Sequence, residues 1–273
     1  MGEIDVSVST EGMAEASAAP AALELRHVHK AFGHVVALSD VSLYVEPGSV
    51  TVIVGDNGAG KSTMMKVLSG VYPVDGGELL INGRPTTLTS PARARENGIA
   101  VVFQNLALVE CLDVAANMYL GRQLRKFGVF ADRRAMIDGA ADTLAALKVR
   151  IPSVRVPVGV LSGGQRQGVA IARAVQQDTP IVLLDEPTAA LGYRETQQVI
   201  TIIGQLRDAG KAVVLVSHDL SMVFDIADSI QVMRLGRVQG VRRRAAADRN
   251  EIIGLITGAI DADVSAPDGR ALH

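Results

Sequence analysis

The chain has 273 residues, with 27 lysines and arginines against 29 aspartates and glutamates, so its formal net charge is only −2. That length is enough for one large domain or two small ones with a buried core, and the absence of any run of about 18 apolar residues predicts that the chain does not span a membrane. A single cysteine, Cys111, excludes a disulfide framework, and the balanced charge and lack of tryptophan argue against nucleic-acid binding, so we expect a soluble protein of a reducing cytosol.

Short apolar segments and helical segments alternate along the chain. Residues 1–22 show neither a secretory signal nor a sustained period, which predicts a disordered tail. The predicted strands are, in chain order, Leu23–Val28, Val41–Val45, Val50–Val54, Glu78–Ile81, Ile99–Phe103, Ile181–Leu184 and Ala212–Val216, with a hairpin turn at Asn82 and Gly83. The predicted helices are Ser62–Leu68, a mainly helical segment from about 114 to 148, Val169–Val175, Thr196–Ala209 and Asn250–Thr257. Unalternated apolar strands separated by helices are typical of a parallel sheet covered on both faces.

A glycine-rich loop follows the apolar strand Val50–Val54 and leads directly into the next helix. It matches the pattern G-x-x-x-x-G-K-[ST] and consists of Gly55, Asp56, Asn57, Gly58, Ala59, Gly60, Lys61, Ser62 and Thr63. The glycines allow successive backbone N–H groups to form an anion nest, to which the helix N-terminus adds a partial positive charge. Lys61 would place an ammonium against the terminal phosphates, and the Ser62 hydroxyl can bind Mg²⁺. A glycine turn that caps a helix is the simpler interpretation, but the motif in this strand–loop–helix setting predicts nucleotide binding.

Two further strands end in polar residues. Ile181–Leu184 is followed by Asp185 and Glu186, a pair in which the first carboxylate can hold the hydration shell of Mg²⁺ and the second can act as a general base toward water. A turn at the strand end, with Asp185 as a cap, would place the same residues there without any chemistry. Ala212–Val216 is followed closely by His218, which we expect beside the end of the first strand and within hydrogen-bond reach of a γ-phosphate. Together these residues predict hydrolysis of the bound nucleotide.

A second pair of glycines opens another helix. Ser162, Gly163, Gly164 and Gln165 stand at its start, where Ser162 is a natural N-cap and the two glycines expose amides that form a second anion site. An ordinary capped helix would explain the Ser-Gly-Gly sequence on its own. Two separate phosphate nests are more than one nucleotide needs, however, and this is explained if two chains face each other.

These motifs, in this order from about Leu23 to Gly258, resemble those of an ATP-binding cassette (ABC) ATPase. The resemblance implies ATP and Mg²⁺ as cofactors and an α/β fold, with a P-loop nucleotide-binding core, an antiparallel β subdomain and an α-helical subdomain inserted at about residues 105–160. It also implies a domain at residues 23–259 and a C-terminal tail at 260–273.

The resemblance further implies a role for each motif. Phe32 would stack on adenine, and Gln104, the Q-loop residue, would contribute to catalysis. Ser62, Gln104 and Asp185 would hold the metal, and Glu186 and His218 would be the catalytic and switch residues. The signature, Ser162 to Gln165, would close over ATP held by the phosphate loop of the partner chain.

A finer resemblance lies in segments 55–63, 108–122 and 188–195, which are similar to those of importers of ribose, xylose and fructose. It implies an ATPase pair, made of this chain or of a homologue with it, at the cytoplasmic face of the membrane. Transmembrane permease subunits and, on the outside, a solute-binding protein would be the partners. Gly192 departs from the Asp that is usual in the family's D-loop, although a Leu-Gly pair is common in the sugar-importer group. Import of another solute, export, and a soluble ABC protein that acts on ribosomes or DNA ends are the alternatives.

Two local features carry further predictions. Three consecutive arginines, Arg242–Arg244, are interpreted as a solvated strand or helix face rather than as a membrane contact. Gly168, inside the signature helix, is expected to cost about 1 kcal/mol relative to alanine if that position is exposed.

Overall fold

In the computed structural model, the described residues are 20–126, 130–176 and 179–263. Most of the predicted N-terminal tail and residues 264–273 of the predicted C-terminal tail lie outside them. The strands are β1 (Leu23–Phe32), β2 (Val35–Val45), β3 (Val50–Gly55), β4 (Gly76–Ile81), β5 (Arg84–Pro85), β6 (Ile99–Val102), β7 (Arg125–Lys126), β8 (Phe130–Ala131), β9 (Ile181–Asp185), β10 (Ala212–Val216), β11 (Ser229–Arg234) and β12 (Arg237–Arg243). The α-helices are α1 (Lys61–Leu68), α2 (Pro91–Glu96), α3 (Val114–Met118), α4 (Arg133–Ala146), α5 (Gly163–Val175), α6 (Tyr193–Asp208), α7 (Leu220–Ile226) and α8 (Arg249–Thr257). Within the described ranges, no helix combines the length and the apolar character needed to cross a membrane.

The central sheet places the strands that carry the polar motifs side by side. Its strand order is β12-β11-β3-β10-β9-β6, and all neighbours are parallel except the antiparallel pair β11–β12. Alternate residues of one strand enter different cores. Val182 and Leu184 of β9 pack in the core formed with α3 to α8, whereas Ile181 and Leu183 pack in the core formed with α1 and β1. The predicted α/β core, with a parallel sheet covered on both faces, is therefore confirmed.

The second sheet is antiparallel, with the order β2-β1-β4-β5. Its first two strands are longer than predicted, since β1 continues past Val28 to Phe32 and β2 begins at Val35 rather than Val41. Register shifts within the β1–β2 pair break the alternation on which the prediction relied. The predicted turn at Asn82–Gly83 joins β4 to β5 with φ angles of 50° and 73°, as a two-residue hairpin requires.

The segment between β6 and α5 is interrupted more often than predicted. Instead of one mainly helical stretch from about 114 to 148, it contains the short helix α3, the antiparallel pair β7–β8 and the longer helix α4. Helix α3 ends at Met118, and Gly121 then takes a φ of 76°, which helical backbone does not allow. Asp113 and Asp132 cap the two helices with their carboxylates and so mark two separate starts.

Helix α6 begins earlier than predicted, whereas α5 begins where its predicted N-cap places it. Helix α5 begins at Gly163, directly after Ser162, and α6 begins at Tyr193 rather than Thr196. Ser162 and Gln165 form a capping box at the start of α5, and the Glu195 side chain accepts a hydrogen bond from the Gly192 N–H at the start of α6. Apolar periodicity does not mark such residues, so the prediction placed the start of α6 too late.

The three arginines predicted to form a solvated face are each bound to a partner. Their partners are, in order, Glu251 and Asp263 for Arg242, Glu46 for Arg243, and the carbonyl oxygen and ring of Phe224 for Arg244. These contacts connect β12 to α8 and to the residue after β2, and connect the turn after β12 to α7. The interpretation as a solvated face therefore holds for Arg243, whose side chain is 44% exposed, but not for Arg242, whose side chain is only 16% exposed.

Gly168 and Gly204 provide a matched test of how closely α5 and α6 pack. A methyl group on Gly168 would lie 2.8 Å from Val149 Cγ1 and 3.2 Å from Ile202 Cδ1, whereas one on Gly204 would meet nothing within 4 Å. Gly204→Ala should raise the free energy of unfolding by about 0.5–1 kcal/mol, because alanine favours helix. Gly168→Ala should raise it less or lower it, because overpacking opposes that gain. Urea unfolding of both variants measures the difference, and an equal gain at both positions would contradict the close packing.

Candidate active site

The glycine-rich loop between β3 and α1 is shaped by residues with positive φ. Gly55 has a φ of 153°, and a Cβ there would overlap the carbonyl oxygen of Met233. Gly60 has a φ of 101°, and a Cβ there would lie 2.8 Å from the carbonyl oxygen of Ala37. Gly58 needs glycine for its conformation alone, since its φ is 80° and a Cβ there would meet nothing within 4 Å. The loop is therefore held closely between β2 and β11.

Lys61, the first residue of α1, is buried rather than displayed on a surface loop. Its Nζ donates hydrogen bonds to the carbonyl oxygens of Gly55 at 2.7 Å and Asp56 at 2.9 Å. Burial lowers its pKa, while the negative charges of Glu186, Asp56 and Asp185 act in the opposite direction. An ammonium has three N–H donors, so one is left for a ligand when both carbonyl bonds are kept.

Parallel register brings the polar motifs to one edge of the central sheet. Asp185, the last residue of β9, lies opposite Val216, the last residue of β10, and Val216 lies opposite Ile53 of β3. Two backbone bonds extend this register: the N–H of Glu186 donates to the carbonyl of Val216 at 3.0 Å, and that of Ser217 donates to the carbonyl of Ile53 at 3.2 Å. The phosphate loop, the acidic pair and the histidine therefore share the carboxyl edge of three adjacent strands.

The acidic pair is partly buried and carries unfavourable like charges. Burial raises the pKa of Asp185, the neighbouring Glu186 raises it further, and Lys66 and Lys61 lower it. Glu186 has a φ of 48°, a conformation that residues other than glycine adopt rarely and that is common at functional sites. A hard divalent cation with oxygen ligands would balance two adjacent carboxylates, so the donor set fits Mg²⁺.

His218 lies beside Glu186, as the sequence predicted. Its Nδ1 is 3.4 Å from Oε1 of Glu186, and its side chain is 67% exposed. The next residue, Asp219, caps α7 by accepting hydrogen bonds from the N–H groups of Ser221 and Met222. This cap fixes the chain directly after His218, whose imidazole remains accessible to a group bound at the strand edge.

Gln104 leaves the sheet one strand away from the acidic pair. Strand β6 ends at Val102, which lies opposite Leu184 of β9. Gln104 is exposed two residues beyond that point. It is therefore at the same carboxyl edge as Asp185.

Phe32 stands at the end of β1 with 42% of its surface exposed. Its ring meets that of Tyr72 edge to face at a centroid distance of 4.9 Å, and Lys30 Nζ lies 5.4 Å from its centroid. Lys30 is fixed in turn by Asp75 at 2.6 Å. Sequence reasoning missed Tyr72, although its place shortly after α1, the phosphate-loop helix, is a signal that could have been used.

The signature residues form a separate nest at the start of α5. Ser162 accepts a hydrogen bond from the N–H of Gln165 at 3.3 Å, and its own N–H donates to the Gln165 side chain at 3.0 Å, so the predicted N-cap is confirmed. Gly163 and Gly164 pack against Glu195 of α6, which sequence reasoning also missed. Among the hydrogen bonds of the described residues, none joins this nest to the phosphate loop.

Known proteins with similar sequences are ABC components. A family model described as ABC transporter matches residues 38–189. The fructose import ATP-binding protein FrcA of Rhizobium meliloti is 41% identical over 244 residues, which cover 87% of this chain and 94% of FrcA. The ribose import ATP-binding protein RbsA 1 of Rubrobacter xylanophilus is 44% identical over 236 residues, which cover 86% of this chain but 47% of that protein. The chain thus spans nearly all of one relative and about half of the other.

Solved structures agree with the sequence relatives. A nucleotide-free ATP-binding cassette from an ABC transporter has a TM-score of 0.74 at 26% identity, covering 87% of this chain and 95% of that one. A dimeric bacterial ABC transporter cassette has a TM-score of 0.69 at 27% identity, covering 81% of this chain and 98% of that one.

The parallel sheet and its phosphate loop define a P-loop protein that binds a nucleotide. The chain belongs to the ABC transporter family, as one of its ATP-binding cassettes, and it is an ATPase. The predicted fold class, enzyme class and nucleotide binding are therefore confirmed.

Replacing Lys61 by methionine tests the phosphate loop. Lys61→Met keeps the apolar stem but removes the buried charge, so affinity for ATP should fall about tenfold or more. The carbonyl oxygens of Gly55 and Asp56 lose their donor, which should also cost about 1–3 kcal/mol of stability. Lys148→Met, an exposed change of the same kind, is the control. Titration of both folded variants with fluorescent ATP decides the matter, and unchanged affinity in Lys61→Met would count against the assignment.

Proposed function

We propose that this cassette hydrolyses ATP to drive the import of a monosaccharide through a membrane permease, to whose cytoplasmic face it binds as one of a pair. The shared carboxyl edge of β3, β9 and β10, with Lys61, the acidic pair and His218, is the observation that carries the proposal. The sugar is supported by the names of relatives, which are import proteins for fructose, for ribose and for xylose or arabinose.

The nucleotide would lie along the phosphate loop, with its adenine against Phe32. The amides of Gly55–Thr63 and the Lys61 ammonium would hold the phosphates. Oxygen ligands suited to Mg²⁺ are available from Ser62, Asp185 and Gln104. Bound Mg²⁺ would neutralise charge on the β- and γ-phosphates and on the two carboxylates beside it.

Glu186 is the general base of the proposed reaction. Its carboxylate follows a buried strand and is bonded through its backbone to β10, so its position relative to the phosphate loop is fixed. It would accept a proton from the attacking water, and His218, 3.4 Å away, would orient that water or donate a hydrogen bond to the γ-phosphate. Lys61 would stabilise charge on the leaving phosphates.

A second chain would complete each site. The signature nest, Ser162 to Gln165, has the amides and helix N-terminus that suit a γ-phosphate, yet it is not joined to the phosphate loop of its own chain. A pair of cassettes related by two-fold symmetry would bring the signature of one to the loop of the other. The similarity to a dimeric cassette supports this arrangement.

Glu186→Gln separates hydrolysis from binding. The amide keeps the size of the carboxylate but cannot act as a base, so turnover should fall about 10²–10⁴-fold while ATP binding persists. ATP should then remain trapped between two chains, so that the variant elutes as a dimer with Mg-ATP in size exclusion and as a monomer without it. A permease complex that contains this variant should fail to take up the sugar.

A second change, Ser162→Trp, should abolish the trapped dimer by filling the nest, while leaving ATP bound to the monomer. Wild-type turnover in Glu186→Gln would mean that another group activates the water, and the proposed base would then be wrong.

A cleft between the core and the inserted helices would receive the permease. It has a volume of about 350 Å³, and its lining includes the apolar side chains of Phe103, Met118 and Leu120. The described residues that line it include three arginines, Arg95, Arg122 and Arg173, and no carboxylate. Burial and the neighbouring arginines lower the pKa values of Arg122 and Arg173. An amphipathic cytoplasmic helix with an acidic side chain would relieve this repulsion and cover the apolar residues.

The same cleft is linked to both halves of the catalytic machinery. Arg173 lies on α5, whose N-terminus is the signature. It donates hydrogen bonds to the carbonyl oxygens of Leu106 at 2.6 Å and Ala107 at 2.8 Å, two and three residues after Gln104. A permease helix that moved in the cleft would therefore act on Gln104 and on the signature together.

Arg122→Glu tests the cleft. The charge reversal should weaken binding to the permease about tenfold, because it replaces an attraction for the acidic helix by a repulsion. Arg84→Glu, the same change at an exposed site on β5, should leave binding unchanged. The native thiol of Cys111 is exposed and allows the complex to be monitored by cross-linking to cysteines placed in the permease. Equal cross-linking in both variants would exclude the cleft as the docking site.

A further inference from the structure

An acidic side chain of the same chain lies against the signature nest. The Glu195 carboxylate lies above the start of α5, with its oxygens 3.7 and 3.9 Å from where a Cβ on Gly163 would stand. The Cβ of Glu195 would lie only 2.9 Å from a Cβ on Gly164, so α6 and the nest are in direct contact. The pKa of this carboxyl group is lowered, chiefly by the Gly192 N–H and to a smaller extent by the amide of Gly164, the Ser162 hydroxyl and the amide of Gly163, so it is charged at neutral pH.

The same carboxylate also caps its own helix. The N–H of Gly192 donates to Glu195 Oε2 at 3.1 Å, which is the half of a capping box that a glycine N-cap allows. An aspartate at position 192 could cap this helix with its own side chain, but glycine has none. Glu195 therefore faces two helix N-termini at once, that of α6 and that of the signature helix.

We propose that Glu195 is a positioning residue, which holds the place of the γ-phosphate in the signature until ATP on the partner chain displaces it. This rests on the proposed function, since it assumes that two cassettes close over ATP. The carboxylate stands beside the glycines whose amides would bind a γ-phosphate, and both groups are anions. They cannot occupy the nest together, because like charges at contact distance repel strongly.

Displacement would also carry a signal toward the catalytic base. When the Glu195 carboxylate leaves the nest, it still has the Gly192 N–H as a hydrogen-bond partner. It would therefore shift toward the D-loop, residues 189–192. Leu191 of that loop packs against Gly163, where a Cβ would lie 2.8 Å from its Cδ2. The loop continues back to Glu186 through bonds from Leu191 N–H to Thr188 O and from Ala189 N–H to Glu186 O. When ATP on the partner chain fills the signature of this chain, the change would thus reach Glu186, the base of this chain's own site.

Glu195→Gln in the Glu186→Gln background tests the proposal. Glutamine keeps a capping oxygen at this position but removes the charge, so the concentration of Mg-ATP needed for half-dimerisation should fall about threefold to tenfold. Light scattering on the full chain measures this midpoint. Asp208→Asn removes the same charge from the other end of α6, where Asp208 pairs with Arg207, and should leave the midpoint unchanged.

Salt separates repulsion from a purely structural effect. High salt screens exposed charges. Raising the KCl concentration should therefore reduce the difference in the dimerisation midpoint between the proteins with glutamate and with glutamine at position 195. Glu195→Ala, which also loses the cap, should lower the unfolding temperature by about 2–4 °C, whereas Glu195→Gln should not. ATP affinity of the monomer, measured on dilute protein, should be the same in all three forms.

The outcomes distinguish the two proposals. If Glu186→Gln alone does not dimerise with ATP, the paired-cassette function fails. If it dimerises but Glu195→Gln leaves the midpoint unchanged, or raises it at every salt concentration, Glu195 does not compete with the γ-phosphate and the inference is overturned.

Discussion

Parallel register among three adjacent strands is the constraint on which the site depends. Strand β10 lies between β3 and β9, and its last residue, Val216, opposes both Ile53 and Asp185. A slip of one residue in β9 would move every side chain of the strand to the opposite face. The two apolar cores prevent that slip, because alternate residues of β9 are buried in different cores. Packing far from the ligand thus determines where the acidic pair stands.

Burial shifts the pKa values of the charged groups at that edge in opposite directions. It lowers the pKa of Lys61 and raises that of Asp185, so each group alone would tend to lose its charge. Lys61 and Asp185 each lessen the shift of the other, and the carbonyl oxygens of the loop hold the ammonium. The desolvation free energy of these groups is therefore part of the free energy of folding. When phosphates bind, the dipoles of the site are already oriented.

Features that depend on neighbouring residues in the chain could be predicted from the sequence. The glycines of the phosphate loop, Ser162 as an N-cap and the strands at 181 and 212 are of this kind, since sterics and capping act over a few residues. The contact of Glu195 with the signature could not be predicted, because only the tertiary fold brings α6 to the start of α5. The early end given to β1 has another cause, since its register shifts break the period that marks a strand.

Side chains of opposite charge stand at the two proposed anion nests of this chain, and this difference would order the events of a cycle. Lys61 lies in the phosphate loop and attracts a triphosphate to a single chain. Glu195 of α6 lies beside the signature and, as proposed, would oppose another anion there, so that the nest would accept only a group that binds the amides more strongly than a carboxylate does. A γ-phosphate carries more charge and more acceptor oxygens than Glu195. On this proposal, loading of one chain would come first, and closure onto a second chain would follow only when nucleotide is already in place.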